Sequence, residues 1–223
     1  SVNNPVDVND YSHGLVSADF NSDGRHDHLI LNSPFIKKGK CKDGNVTNRS
    51  YFLLSEGTNN YRKQDIKFSY KRHLPKIHYD AGASVKLGES TFLILGRGFT
   101  DQRDVRDKSG IDIFKFNENG KLKQVQFIAS PESLNGASYA EIVPFNPAYA
   151  RDKLVIIAVA VDASKGNWRG RYIQALRFSE EGFFEDKNFV EQYDPAQQEH
   201  ERINWCSRLF IGTIENEQYM ACS

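Results

Sequence analysis

The sequence predicts an all-β protein, a propeller-like array of four-stranded blades with about three and a half to four repeats of roughly sixty residues. Three observations predict it. Short aliphatic and aromatic runs bounded by Gly, Asn, Asp or Ser dominate the chain: Leu29–Leu31, Tyr51–Leu54, Thr91–Leu95, Ile111–Phe116, Leu154–Val161, Tyr172–Phe178 and Leu209–Ile214. Long helical periodicity is missing; the best helix candidate is the short, charged stretch Asp194–Arg202, with Pro195 at its first turn. The third observation is internal repetition.

Three segments read as an apolar strand, a polar turn closed by Gly, and a second aromatic strand. They are Tyr51 to Gly57, Ile113 to Gly120 and Leu176 to Gly182, and their turn glycines stand 63 and then 62 residues apart. A small-residue landmark precedes each: His13-Gly14-Leu15-Val16-Ser17, Ala81-Gly82-Ala83-Ser84-Val85 and Asn135-Gly136-Ala137-Ser138-Tyr139. Small residues there suit crowded inner strands. The repeats are placed at 13–75, 80–130, 135–190 and 203–223 within one domain spanning 1–223, with residues 1–12 free to add a strand to the last unit. Alternation in Ile111-Asp112-Ile113-Phe114-Lys115-Phe116 puts Ile111 and Ile113 on one face and Asp112, Phe114 and Phe116 on the other. A plain β-sandwich with ordinary hairpins is the competing architecture.

Composition narrows the function. The chain has 223 residues, 29 Lys plus Arg against 29 Asp plus Glu, and no formal net charge, which argues against a surface built for nucleic acid or an anionic membrane. With 39% hydrophobic residues, 15 Phe and 10 Tyr, it can bury a core. The longest apolar run is Leu154–Val161, far short of the roughly 20 residues of a membrane span. The polar opening Ser1-Val2-Asn3-Asn4 reads as that of a processed chain. Cys41, Cys206 and Cys222 are too few for a disulfide scaffold and form no C-x-x-C pair; one disulfide and three free thiols both stay open.

One motif is sharp. Asp19-Phe20-Asn21-Ser22-Asp23-Gly24-Arg25-His26-Asp27 carries oxygen side chains at positions one, three, five and nine and Gly at six. Alternating oxygen donors in a tight loop suit a hard cation such as calcium, with the Arg25 carbonyl at position seven. An EF-hand does not fit. Its twelfth position needs a bidentate Glu, and here that position is Ile30, inside the strand-like His28-Leu29-Ile30-Leu31.

The run from Ala18 to Leu31 resembles the calcium loop of FG-GAP/VCBS-type repeats, the blades of integrin-alpha-like β-propellers. Tyr51 to Gly57, with Tyr61, is similar to the later hairpin of such a blade. The resemblance is strong over residues 14–32 and weak elsewhere. It implies that Asp19, Asn21, Asp23 and Asp27 are side-chain ligands, that Arg25 is a carbonyl ligand, and that the ion is structural. The second unit has only Lys86-Leu87-Gly88-Glu89-Ser90, and the third keeps Asn146 and Asp152 but loses the other acids. One calcium ion is expected.

His26 and His28 flank Asp27 on what reads as a strand, a pattern that suits zinc, although no third ligand is placed. His73, His78 and Asp80 lie near one another in a stretch that reads as a linker between blades, and no Gly-x-Ser-x-Gly elbow occurs. Trp168, on the Gly-flanked Lys165-Gly166-Asn167-Trp168-Arg169-Gly170, is a candidate for stacking on a sugar or anchoring a protein contact. Trp205 reads as core. Lys37, Lys38, Lys40, Lys42, Arg62, Lys63, Lys67, Lys71 and Arg72 form a basic stretch, answered by an acidic one between Glu180 and Glu201. Asn45 and Asn48 fit the glycosylation acceptor pattern.

Together these readings describe a calcium-stabilised binding module that recognises a protein or glycan partner, binds no nucleic acid, and is secreted or faces a periplasmic or extracellular space. The compartment follows from calcium: sites of modest affinity fill where calcium is millimolar. Two alternatives stand beside it, a hydrolase with a site at the propeller axis or assisted by a metal, and an inhibitory or structural protein that plugs another protein. The sequence leaves the oligomeric state open.

Overall fold

The structure is a computed structural model, and it describes residues 12–32, 50–66, 68–69, 79–98, 109–116, 121–130, 137–146, 154–162, 170–186 and 209–222. Among these residues all regular structure is β, with no helix. The strands are β1 (Ser12–Ala18), β2 (Asp27–Asn32), β3 (Tyr51–Gly57), β4 (Asn60–Asp65), β5 (Phe68–Ser69), β6 (Tyr79–Leu87), β7 (Ser90–Arg97), β8 (Gly110–Phe116), β9 (Leu122–Ala129), β10 (Ala137–Phe145), β11 (Val155–Asp162), β12 (Gly170–Ser179), β13 (Gly182–Glu185), β14 (Leu209–Ile214) and β15 (Glu217–Cys222). Six of the seven sequence-expected strands fall within them, and the seventh, Leu154–Val161, starts one residue before β11. The candidate helix at Asp194–Arg202 lies outside the described residues.

The strands form four sheets, each an antiparallel meander in chain order: β1-β2-β3-β4, then β6-β7-β8-β9, then β10-β11-β12-β13, then the hairpin β14-β15. The short β5 falls within the expected first repeat but pairs in parallel with β9, covering the outer edge of the second sheet.

The sheets stack face to face, and three apolar seams join them. Val16, Leu29, Leu31, Phe52 and Leu54 of the first sheet meet Leu93, Leu95 and Phe114 of the second. Ile94, Ile111 and Ile113, on the opposite face of the second sheet, meet Ile142, Ile156, Ala158 and Leu176 of the third. Val155, Ile157, Val159 and Ala175 of the third sheet meet Leu209, Ile211 and Met220 of the hairpin. The two middle sheets are therefore apolar on both faces, which explains why Leu154–Val161 is an unbroken apolar run rather than an alternating one. The alternation read in Ile111–Phe116 separates the two seams: Ile111 and Ile113 face one, Phe114 the other.

The repeat is visible in the register. In the first three sheets the first strand carries one extra residue against the second: His13 in β1, Asp80 in β6 and Ala140 in β10. Counting from that bulge aligns the three sheets residue by residue. Ser17 then corresponds to Ser84 and to Pro144, so the third small-residue landmark is not equivalent to the other two. Ser138 precedes its bulge, whereas Ser84 follows its own. Their bonds differ accordingly: Ser84 Oγ donates to the Ser17 carbonyl, and Ser138 Oγ donates to Asp80 Oδ2. The crowding expected at Gly82 is present, because a Cβ there would lie 2.6 Å from Leu95 and 3.0 Å from Val16.

Candidate functional site

The Asp-rich motif forms the loop from β1 to β2. The equivalent connection in the second sheet is the tight turn between Leu87 and Ser90. The backbone of the loop coils because its short polar side chains cap its own amides. The Asp23 amide donates to Asp19 Oδ1 (3.0 Å) and Asn21 Oδ1 (3.0 Å). The Gly24 amide donates to Asp19 Oδ2 (2.9 Å), and the Arg25 amide donates to Asp23 Oδ1 (2.9 Å). Ser22 and Gly24 take positive φ values of 61° and 81°. Gly24 accepts this without a Cβ penalty, and Ser22 bears a small one.

Asp23 is held from a second side. Arg25 Nη2 donates to Asp23 Oδ2 at 2.7 Å, and Asn21 Nδ2 donates to the same oxygen at 3.1 Å. The hydrogen bond from the Arg25 side chain keeps the Asp23 carboxyl below its ordinary 3.8, and the Asp23 carboxylate raises Arg25 in turn.

Asp27 behaves differently from its neighbours. It is fully buried and acts as an anchor: Oδ2 accepts the Phe20 amide (3.0 Å) and Oδ1 accepts the Ser55 amide of β3 (2.8 Å). The loop is thereby tied to a strand 28 residues away. Aligned from the bulges, Asp27 stands where the second sheet has Phe92 and the third has Val155. Among the described residues the loop has no counterpart in the second sheet, and the corresponding connection of the third, residues 147–153, lies outside them.

The donor chemistry suits a hard cation. Asp19, Asn21 and Asp23 present carboxylate and amide oxygens within five residues, and an oxygen accepting one amide retains a further lone pair. Among the described residues no three His, Cys, Asp or Glu side chains stand together as a metal-holding group. A cation here would draw on Asn21 Oδ1 and the Arg25 carbonyl besides the carboxylates, and would compete with the Arg25 guanidinium for Asp23.

His28 lies on β2, its Nδ1 2.8 Å from Ser17 Oγ and its ring against Tyr61 at 5.4 Å. His26 is exposed in the loop. Trp168, Trp205, His73, His78, Asn45, Asn48, Cys41 and Cys206 lie outside the described residues, as does most of the basic stretch. Arg62 and Lys63 are exposed on β4; Arg62 pairs with Glu56, and Lys63 lies over the Tyr51 ring.

The sequence reading passed over a buried polar network in the second sheet. The Asp112 carboxylate receives Arg97 Nε on Oδ2 and Arg97 Nη2 on Oδ1, both at 2.7 Å. Tyr79 Oη also donates to Oδ2 (2.7 Å), and Gln124 Nε2 to Oδ1 (2.6 Å). All four side chains are buried. Two signals pointed to it: a lone Asp inside Ile111-Asp112-Ile113-Phe114, and an Arg closing the apolar β7. The network joins β6, β7, β8 and β9, and its charges are paired as burial requires.

No family model matches the sequence, and no curated protein matches it. Among solved structures, a similar one is the periplasmic gluconolactonase PpgL of Pseudomonas aeruginosa, with a TM-score of 0.42 and 12% sequence identity. The likeness covers 77% of this chain and 43% of that one, so the chain spans less than half the length of that neighbour. Among the described residues no helix is long and apolar enough to cross a membrane.

Proposed function

We propose that the chain is a calcium-stabilised, propeller-like binding module of FG-GAP/VCBS type that works outside the cytoplasm and recognises a protein or glycan partner. The observation that carries the reading is the 19–27 loop. It is an oxygen-rich coil, replaced by a tight turn in the second sheet and locked to the neighbouring strand by Asp27. Asp19, Asn21 and Asp23 would hold the ion by side chains and Arg25 by its carbonyl, with Asp27 supplying the fixed end of the loop and a further carboxylate. When bound, calcium would neutralise the clustered carboxylates and pin the β1–β2 connection. The blade reading is supported by consecutive antiparallel meanders stacked in chain order, with the same bulge in the first strand of the first three. Trp168, outside the described residues, is a candidate for partner recognition.

The test is thermal unfolding against free calcium for the wild type and Asp23→Ala. A ligand that binds the folded state alone raises the midpoint once it exceeds its dissociation constant, by about 2.7 kcal/mol at a hundredfold excess. The wild type should rise and the variant should not. A wild type indifferent to both calcium and chelator would sink the calcium reading.

A further inference from the structure

The first two seams end in different ways on the side of the 19–27 loop. Counted from the bulges, Phe116 of β8 and Phe178 of β12 occupy the same position, as do Leu122 of β9 and Phe183 of β13. In the first seam the loop folds over this end. Phe20 is buried, its ring 5.0 Å from Phe52 and 5.3 Å from Phe116. In the second seam the loop is replaced by the tight turn between Leu87 and Ser90, which supplies only Gly88 and Glu89. Phe92, which stands in the place of Asp27, lies 5.7 Å from Phe178 and 5.4 Å from Phe183, but it approaches from the strand. Phe183 is buried, whereas Phe178 stays 43% exposed. The ring that Phe20 covers in one seam is therefore open in the next.

The rim of this second mouth is basic. Lys115 and Lys123 stand directly opposite each other on β8 and β9, and Lys115 is in register with Phe92. Both lysines are exposed, and Lys115 Nζ lies 6.0 Å over the Phe92 ring. Like charges directly opposite on a sheet repel, so a carboxylate between them is favoured.

We propose that this end of the second seam binds a protein partner through an aromatic side chain with a carboxylate beside it. The ring seats on Phe178 as Phe20 seats on Phe116, and the carboxylate meets Lys115 and Lys123. The argument is continuity with an interface already present in the first seam, together with charge complementarity at the rim. The loop that closes the first seam carries the same pair of side-chain types, Asp19 followed by Phe20. The inference rests on the binding-module reading and names a partner class for it. It involves no calcium, so the titration below, run in chelator, fails or succeeds independently of the calcium test.

The test is NMR titration of the 223-residue chain, labelled at phenylalanine, with acetyl-Asp-Phe-amide, acetyl-Asp-Ala-amide and acetyl-Lys-Phe-amide. The Asp-Phe peptide should give saturable shifts at Phe178 and Phe92. The Asp-Ala peptide should bind about tenfold or more weakly, because it buries no ring. The Lys-Phe peptide should bind about two- to fivefold more weakly, the scale of an exposed ion pair. Phe178→Ser should abolish the shifts. Lys115→Glu, a surface change that leaves the rings in place, should level or reverse the order of the Asp-Phe and Lys-Phe peptides. Unsaturable shifts, or equal affinity for all three peptides, would overturn the proposal. So would saturation by methyl glucoside in place of the peptides, which would make the rings a sugar platform. Shifts at Phe178 that grow with the concentration of the chain alone would also overturn it, by assigning the groove to a second copy.

Discussion

Tyr79 donates its hydroxyl to the Asp112 carboxylate across the second sheet at 2.7 Å, and the same relationship recurs in the third sheet between Tyr139 and Gln174 at 2.8 Å. The two tyrosines each stand one residue before the bulge, and Asp112 and Gln174 each stand on the third strand at the same register. The repeat therefore extends to individual polar contacts. The acceptors differ, one charged and one neutral, and this difference leads to the first prediction.

Tyr79→Phe should destabilise more than Tyr139→Phe. A hydrogen bond to a charged group contributes about 1.5–3 kcal/mol and a neutral one about 0.5–1.5 kcal/mol. Asp112→Ala should be worse than either, at about 3–5 kcal/mol, because it strands the buried Arg97 guanidinium. Urea unfolding of the three variants gives the ranking, and an equal loss in the two tyrosine variants would contradict it.

Asp27→Ala should cost about 2–5 kcal/mol, since it leaves the Phe20 and Ser55 amides without their acceptor. The loss should be present in chelator as well as in calcium, because the anchor is made of protein groups. Hydrogen exchange at those two amides should accelerate ahead of the core strands. Unchanged exchange at Ser55 would show that the tie between loop and β3 is dispensable.

Gly96→Ala should destabilise the second seam. An added Cβ would fall 2.3 Å from Tyr139 Cβ, closer than real atoms approach, and overpacking of this kind costs about 1–3 kcal/mol. Gly88→Ala meets no neighbour within 4 Å, so its cost comes only from a φ of 58°, about 1 kcal/mol. Melting curves distinguish the two, and only Gly96→Ala should alter the near-ultraviolet signal of the buried tyrosine.

Arg25 lowers the Asp23 carboxyl below its ordinary 3.8. A depressed folded value means that the pair contributes fully above the unfolded value and that the contribution is lost as the pH falls through the folded one. The wild type should therefore exceed Arg25→Gln in midpoint near neutral pH, and the gap should close as the pH drops below about 3.8. The pair is exposed, so the gap should be small and should shrink in high salt. A gap that persists at pH about 2 would assign the stabilisation to something other than this ion pair.

Local chemistry was legible because it is written in neighbouring residues. The spacing of Asp19, Asn21, Asp23 and Gly24 announced a coiled oxygen-rich loop, and the structure shows their side chains capping amides two to five residues away. Leu29–Leu31 and Ile111–Phe116 announced strands because β-branched and aromatic residues suit a pleated, buried surface. The polar strand β15 and the two-residue β5 have no strand signal of their own, since hydrogen bonding to a partner decides them more than composition does. The repeat was detected, but its alignment was not: glycine landmarks drifted by several residues, and the bulges at His13, Asp80 and Ala140 corrected them.

By itself the sequence determined the all-β class, the hairpin turns and the oxygen donors of one loop, because each depends on side chains within about ten residues of one another. Only the tertiary structure decided which carboxylate is buried. Asp19 and Asp27 look alike in the motif, but Asp27 opens β2 at a position that other units fill with Phe92 and Val155. It sits in the seam beneath Ser55, a residue 28 positions away. The same holds for Asp112, whose partners Tyr79, Arg97 and Gln124 come from three other strands. Burial and pairing depend on what the fold brings from a distance, and no local pattern carries that information.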